Sequence, residues 1–156
     1  MLRILCIGAV AAAFSVAAFA ADPIPDDKAI QWQAGPPGLP PGAEFAVLSG
    51  DPGSNGLYVV RAKLPAGYKI PAHSHPTTEY VTVLSGELQI GMGDKLDASS
   101  GQMLQAGGFA EAPAKMNHYA WSGAGAVIQV HGQGPFEITY VNPDDDPRTQ
   151  TSSKPQ

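Results

Sequence analysis

The sequence contains very little cysteine and few basic residues. Its one cysteine is Cys6, and it lies in an N-terminal segment that we expect to be removed. Without it, the chain lacks a disulfide framework, a Cys-ligated metal site and a thiol nucleophile. The 9 basic residues form no cluster and the formal net charge is −5, whereas binding to nucleic acid phosphates needs a basic face. We therefore expect no nucleic-acid partner.

Long segments free of helix breakers are also missing. The 156 residues include 18 glycines and 15 prolines, and each costs a helix about 1 to 3 kcal/mol relative to alanine. This excludes a helical bundle or a coiled coil and suits one domain rich in turns. From Phe45 onward, short apolar runs are bounded by turn residues: FAVLS, LYVVRAKL, YVTVL, ELQIGM, HYAW, AVIQV and FEITYV. The pattern predicts an all-β sandwich or barrel, with residues 84–87 as a tight hairpin.

The first twenty residues have the pattern of an export signal. Arg3 supplies a positive charge, an apolar run without acidic residues follows, and Ala18-Phe19-Ala20 offers small residues at the cleavage positions. A permanent anchor is the weaker alternative because the run is rich in alanine and contains Ser15. We expect cleavage after Ala20, a periplasmic or secreted protein, and no stable membrane anchor after cleavage.

Composition divides the rest of the chain into three segments. Residues 21–43 are rich in proline and glycine and predict an extended arm lying on the domain. Residues 44–141 hold the apolar runs and predict a single β-barrel domain. Residues 142–156 are polar and interrupted by proline, and we expect them to be disordered.

The residues that could bind a metal or take part in catalysis are mainly four histidines and one glutamate. His73 and His75 are two positions apart and Glu79 follows four positions later. In a strand, residues i and i+2 point to the same face, so both imidazoles can reach one metal ion. Glu79 can join them if the intervening bend turns back. Imidazole and carboxylate ligands favour Fe, Mn, Zn, Cu or Ni over Ca or Mg.

The spacing around these residues resembles the two sequence signatures of the cupin superfamily. The first signature is matched at every fixed position, by Gly67, His73, His75, Glu79 and Gly86. The second is matched by Gly107, Pro113 and His118. Two positions depart from it: Lys115 stands where the family has Gly, and Ser122 where it has Asn. Because Gly serves a turn with positive φ, we expect Lys115 to strain that turn by about 1 kcal/mol or to use another turn type.

The resemblance implies a double-stranded β-helix, the jelly-roll barrel of the cupins, as a single domain. It also implies one divalent transition metal held by His73, His75, Glu79 and His118, the last of these supplied by the family pattern alone. Four protein ligands on an octahedral ion leave two positions open for water, O2 or a bidentate substrate.

The other candidate residues are identified by strand alternation alone and not by a sequence motif. Alternation along residues 127–131 places Gln129 and His131 on one face, and if that face looks into the barrel they would orient a ligand or substrate. A hydrogen-bonded histidine at a strand end or a subunit contact is the alternative for His131. Tyr119 and Trp121 are expected to point outward, into packing or a dimer interface. A homodimer is therefore expected.

Two classes of function fit these features. The first is a metal-dependent enzyme of oxygenase, isomerase or hydrolase type acting on a small molecule, with the ion as Lewis acid. For this class only His131 or Glu111 remains as an acid or base. The second is a non-catalytic module that binds a metal or a small ligand for storage, sensing or carriage. The fold does not choose between them, although open coordination positions favour the enzyme.

Overall fold

The computed structural model describes residues 23–24 and 26–150. The predicted export signal, residues 1–20, lies outside this range. The chain divides into two compact units, Met1–Ile30 and Gln31–Gln156. In the described part of the first unit, a 3-10 turn at Asp27–Ala29 is capped by Asp26, whose side chain accepts a hydrogen bond from the Lys28 N–H at 2.9 Å.

The second unit is built from antiparallel strands, which confirms the predicted all-β class. The described strands are β1 Gln33–Ala34, β2 Glu44–Ser49, β3 Gly56–Leu64, β4 Tyr68–Ser74, β5 Glu79–Met92, β6 Gln102–Gln105, β7 Phe109–Ala112, β8 His118–Ser122, β9 Ala126–Gly134 and β10 Thr139–Tyr140. A short helix, α1 Pro147–Gln150, follows them. Within the part of the chain that the structure describes, no helix is long and apolar enough to cross a membrane.

The strands form two sheets that share β5. One sheet has the order β1-β2-β3-β9-β5, with β7 also on β5; the other has the order β5-β8-β4-β10, with β6 on β5. The N-terminal half of β5 pairs with β9 and its C-terminal end pairs with β8. This single curled antiparallel arrangement is the predicted jelly-roll barrel.

The predicted hairpin at residues 84–87 is wrong, because β5 runs through it without a turn. The pairing with β9 shifts register between Val83 and Ser85. Gly86 has a φ of +72°, and a Cβ there would lie 2.1 Å from the Gly125 carbonyl oxygen. Glycine therefore serves a bend that carries the strand from one sheet to the other.

The core lies between the sheets and follows the alternation of the strands. In β3 every second residue is buried, from Tyr58 to Leu64, and in β9 Ile128 and Val130 are buried in the same cluster. Full burial of an aliphatic side chain contributes about 1.5–3 kcal/mol relative to exposure. The inner faces of β3 and β9 thus form an apolar wall of the barrel interior.

Tyr119 and Trp121 form a separate cluster rather than an exposed surface. They are 3% and 7% exposed and pack with Ala72 against Leu96, which lies in the loop between β5 and β6. Gly91 makes room for Tyr119, since a Cβ at Gly91 would lie 2.4 Å from the tyrosine ring. Of the two alternatives given for these aromatics, packing or a dimer interface, the structure supports packing, and the homodimer stays a prediction that no longer rests on them.

Both ends of the predicted barrel are extended by ordered segments. Gln33 and Ala34, placed in the arm by composition, pair with β2. The segment from Asn142 to Gln150, predicted to be disordered, forms a 3-10 turn and α1. Arg148 ties α1 to the barrel by donating to the Ile138 carbonyl at 3.0 Å and pairing with Asp146 at 2.6 Å. Residues 151–156 lie outside the described range.

Candidate metal centre

Three histidines meet where β4 and β8 pair. His73 is in β4, His118 begins β8, and the two are register partners. Their rings are 4.3 Å apart, and His75, just after β4, lies 4.9 and 5.2 Å from them. All three residues are buried, and one ring nitrogen from each can be chosen so that all lie within 4.8 Å of one another.

Backbone carbonyls fix the orientation of each imidazole. The Nδ1 of His73 lies 2.7 Å from the Pro71 oxygen, that of His75 lies 2.7 Å from the Glu137 oxygen, and that of His118 lies 3.0 Å from the Met116 oxygen. A carbonyl can only accept, so each Nδ1 donates its proton and each neutral ring keeps its Nε2 lone pair free. A hydrogen bond of this kind orients a histidine for metal binding.

Glu79 joins the histidines as the first residue of β5. Its Oε2 lies 3.7 Å from the Nε2 of His75 and 3.6 Å from the Nε2 of His118, and its side chain is 16% exposed. The bend before β5 is held by Thr77, which donates to the Gln133 carbonyl at 2.8 Å, and by Thr78, which accepts from the Ala114 N–H. The structure therefore brings together all four residues that the sequence and its resemblance proposed as ligands.

The electrostatics of the cluster keep the charge on the carboxylate. Burial, with the nearby His118 and His75 rings, lowers the pKa of His73 to about 3, so this imidazole is neutral at pH 7. Burial alone would raise the pKa of Glu79, but the approach of His118 and the other imidazoles outweighs it and lowers that pKa. A neutral His73 beside an ionised Glu79 is a combination of protonation states that binds a cation.

The donor atoms fit a divalent transition metal. The Nε2 atoms of His75 and His118 are buried and have no hydrogen-bond partner among the described residues. A buried polar atom without a partner costs about 1–3 kcal/mol, and a cation shared with Glu79 and His73 would satisfy both. Three imidazoles and a carboxylate suit Fe, Mn, Zn, Cu or Ni.

The two departures from the cupin signatures leave this cluster intact. Lys115 has a φ of +63° and donates its N–H to the His75 carbonyl at 2.8 Å, so it adopts the left-handed turn that the family gives to glycine. This costs about 1–2 kcal/mol. Ser122 accepts from the Gly125 N–H and donates to the Glu87 carbonyl. Both residues thus hold the loop ends on either side of β8.

A cavity of about 550 Å³ reaches Glu79 from the interior of the barrel. Phe136 lies in its wall and its ring is 5.1 Å from that of His75. The sequence does not predict this cavity, because part of its wall comes from the proline-rich arm, which is expected only to lie on the domain. These residues are Gln31, Gln33 and Leu39. Tyr58 and Tyr68, which the sequence alone does not distinguish from core residues, also line it.

The sequence assigns Gln129 and His131 to the pocket only on condition that their face of β9 points into the barrel, and the structure does not meet that condition. Their neighbours Ile128 and Val130 face the cavity, so both polar side chains lie on the outer face of β9. There Gln129 accepts a hydrogen bond from Arg61 at 3.0 Å, and its amide lies 3.4 Å from the His131 Nε2. Glu111 is also exposed, on β7. Neither candidate acid or base therefore reaches the cluster.

Solved structures of low sequence identity share the fold. The polyketide cyclase RemF of Streptomyces resistomycificus has a TM-score of 0.65 at 15% identity, covering 85% of this chain and 94% of that one. A candidate acetylacetone dioxygenase of Methylibium petroleiphilum PM1 has a TM-score of 0.61 at 18% identity, with coverages of 88% and 98%. An RmlC-like cupin of Shewanella frigidimarina NCIMB 400 has a TM-score of 0.56 at 16% identity, with coverages of 72% and 91%.

Sequence comparison places the chain in a family. Comparison with curated proteins gives no match. Residues 21–139, most of the chain, match the family described as a domain of unknown function, DUF4437. The chain therefore belongs to the DUF4437 family and has the cupin fold.

Proposed function

We propose that the protein is a divalent-metal-dependent enzyme, of oxygenase or isomerase type, that acts on a small molecule. The observation that carries this proposal is the pair of buried, unpartnered Nε2 atoms of His75 and His118 beside the Glu79 carboxylate. Glu79, whose Oε2 lies 3.7 and 3.6 Å from these two atoms, is part of the cavity wall, whereas the histidines themselves do not line it. A purely structural metal site would have no need of such a cavity.

The side chains of this protein would bind the ion and hold its ligands in a fixed orientation. A divalent ion held by His73, His75, Glu79 and His118 would supply Lewis-acid chemistry and would have positions left for a substrate oxygen. The carbonyl contacts of the three Nδ1 atoms hold the rings in place, so the ligands need not rearrange when an ion binds.

Tyr58 is the side chain best placed to handle a proton. It lines the cavity, and burial together with the charge of Glu79 raises its pKa to about 12. At pH 7 its phenol therefore keeps its proton and acts as a hydrogen-bond donor. Gly132 makes room for this ring, since a Cβ there would lie 2.4 Å from the Tyr58 hydroxyl. We assign Tyr58 the role of donating a hydrogen bond to a substrate oxygen.

The proposal is tested by reconstitution and turnover. Metal-free protein is loaded separately with Fe(II), Mn(II), Zn(II), Cu(II) or Ni(II), and oxygen uptake and product formation are screened against small phenols, diketones and keto acids. Turnover with at least one ion, lost in His118→Ala and retained in His131→Ala on the outer face, is the expected result. Stoichiometric metal without turnover would instead support the non-catalytic binding module.

We also propose that the protein acts in the periplasm or outside the cell. The support is the N-terminal sequence, with its positive charge, apolar run and Ala18-Phe19-Ala20. The mass of protein recovered from the periplasm tests it: a chain that begins at Ala21 is expected, and an uncleaved chain in the cytoplasm would contradict the proposal. The homodimer remains a prediction, checked by light scattering of the purified protein.

A further inference from the structure

The cavity beside the metal centre has walls made mainly of aromatic and aliphatic side chains. Its volume is about 550 Å³, and its deeper wall includes Tyr58, Val60, Leu64, Ile128 and Val130, all of them buried. A cavity of about 150 Å³ lined by aliphatic and aromatic groups can hold benzene. This cavity therefore has room for a molecule of about two to three rings.

In the metal-free protein, the charge of the cavity wall disfavours anions. Glu79 is the one charged residue among the residues that line it, and none of the described lysines or arginines reaches it. Carboxylates and phosphates are held in proteins by charge-assisted hydrogen bonds from arginine or lysine. Away from a bound ion, a carboxylate or phosphate here would face Glu79 without such a partner, at the cost of a buried unpaired charge.

The hydrogen-bonding capacity of the cavity is also small. The amides of Gln31 and Gln33 are in its exposed rim rather than its interior. The Tyr68 hydroxyl is occupied, because it donates to the Pro40 carbonyl. This leaves the Tyr58 hydroxyl as the interior donor among the lining residues, which is too few for a sugar or another polyol, whose many hydroxyls would be left unpaired.

From these observations we infer that the site takes a neutral, largely apolar, ring-containing small molecule with one or two oxygen atoms, such as a phenol or an enolised diketone. The rings would lie between Phe45, Val60 and Phe136, and an oxygen would face Glu79 and the Tyr58 hydroxyl. The inference rests on the proposed function in one respect, namely that the oxygen would be held by the ion. The apolar selectivity is a property of the chain itself.

Two ligands with the same ring system, one neutral and one anionic, distinguish the effect of ligand charge on binding from the effect of ligand shape. Binding of 1-naphthol and of 1-naphthoate to the metal-free protein is measured by titration calorimetry at pH 7, where the first is neutral and the second is an anion. We expect 1-naphthol to bind at least about tenfold more tightly, with a negative heat-capacity change from apolar burial. Equal affinities, a preference for 1-naphthoate, or binding of neither probe would overturn the inference.

A charge placed at the rim should reverse the preference without disturbing the core. Val47 lines the cavity and is 57% exposed, whereas Leu57 is 79% exposed and does not line it. Val47→Arg should strengthen 1-naphthoate binding at least about fivefold relative to 1-naphthol. Leu57→Arg, the matched control on the outer face, should leave the ratio unchanged. An unchanged ratio in Val47→Arg would contradict the assigned position of the ligand.

The two proposals can fail separately. If the metal-free protein selects 1-naphthol but no reconstituted form turns over any substrate, the apolar cavity stands and the enzyme proposal falls. If a reconstituted form turns over keto acids while the metal-free protein does not prefer 1-naphthol, the enzyme proposal stands and the inferred substrate class is wrong.

Discussion

Replacement of His73 by glutamine should change how the stability of the metal-free protein depends on pH. His73 is 3% exposed, and its pKa falls to about 3 through burial and the two neighbouring imidazoles. In the unfolded chain the same imidazole titrates near 6.5. Below pH 6.5 the unfolded state therefore binds a proton that the folded state does not, and stability falls as the pH falls from about 6.5 toward about 3.

The size of the effect follows from the two pKa values. Each pH unit inside this window corresponds to about 1.4 kcal/mol. Between pH 7 and pH 5, His73 alone should lower the free energy of unfolding by about 2 kcal/mol. Glutamine has no titrating group, so His73→Gln removes this part of the pH dependence while retaining a polar amide beside the Pro71 carbonyl.

Urea denaturation of metal-free protein at pH 7 and pH 5 measures the difference. The wild type should lose about 2 kcal/mol more between these pH values than His73→Gln. His131→Gln is the matched control, because His131 is only partly buried on the outer face, and it should behave like the wild type. Equal pH dependence in wild type and His73→Gln would refute a buried neutral imidazole at this position.

Three further outcomes are expected. Metal loaded at pH 7 should be released as the pH is lowered toward about 3, because protonation of His73, whose pKa falls to about 3, competes with the ion; occupancy after dialysis checks this, and unchanged occupancy at that pH would argue against histidine ligands. His131→Ala should leave metal occupancy intact, since its side chain lies outside the barrel; loss of the ion would place it among the ligands. Gly132→Val should lower the free energy of unfolding by about 1–3 kcal/mol, because the added atoms meet Tyr58; thermal denaturation measures it, and an unchanged midpoint would show that the ring has room to move.

The fold, His73, His75 and Glu79 could be predicted from the sequence because short, fixed spacings encode them, whereas His118 comes from the resemblance to the cupin signature. The glycines of the two signatures illustrate this point. Gly67, Gly86 and Gly107 all have positive φ, between +72° and +86°, which other residues rarely adopt. His73 and His75 share a strand end, and the register of β4 with β8 brings His118 to them. The metal ligation of these residues stays a prediction.

The alternation of polar and apolar residues in β9 does not show which face of the strand points into the barrel. The pattern separates Gln129 and His131 from Ile128 and Val130, and the structure confirms that division. The sequence leaves both faces open as the inner one, and most of the interior is an apolar cavity. Burial of Ile128 and Val130 against β3 outweighs any benefit from a polar inner face.

The cavity wall and the packing of Leu96 over Tyr119 depend on contacts between residues that lie far apart in the sequence. The loop between β5 and β6 places Leu96 over Tyr119 and Trp121, and its polar composition gives no sign of this packing. Gln33 pairs with Phe45 across a proline-rich segment that has no apolar alternation. Such long-range contacts are fixed by tertiary packing, which local periodicity does not report.

The central claim is that three imidazoles and one carboxylate hold a single transition metal ion. Elemental analysis of protein purified without added metal tests it most directly, with wild type, His73→Ala, His118→Ala and the outer-face control His131→Ala measured together. Wild type and His131→Ala should each contain about one transition metal ion per chain, and the other two variants well under half of that. Full occupancy in both His73→Ala and His118→Ala, or no transition metal in wild type even after reconstitution, would contradict it.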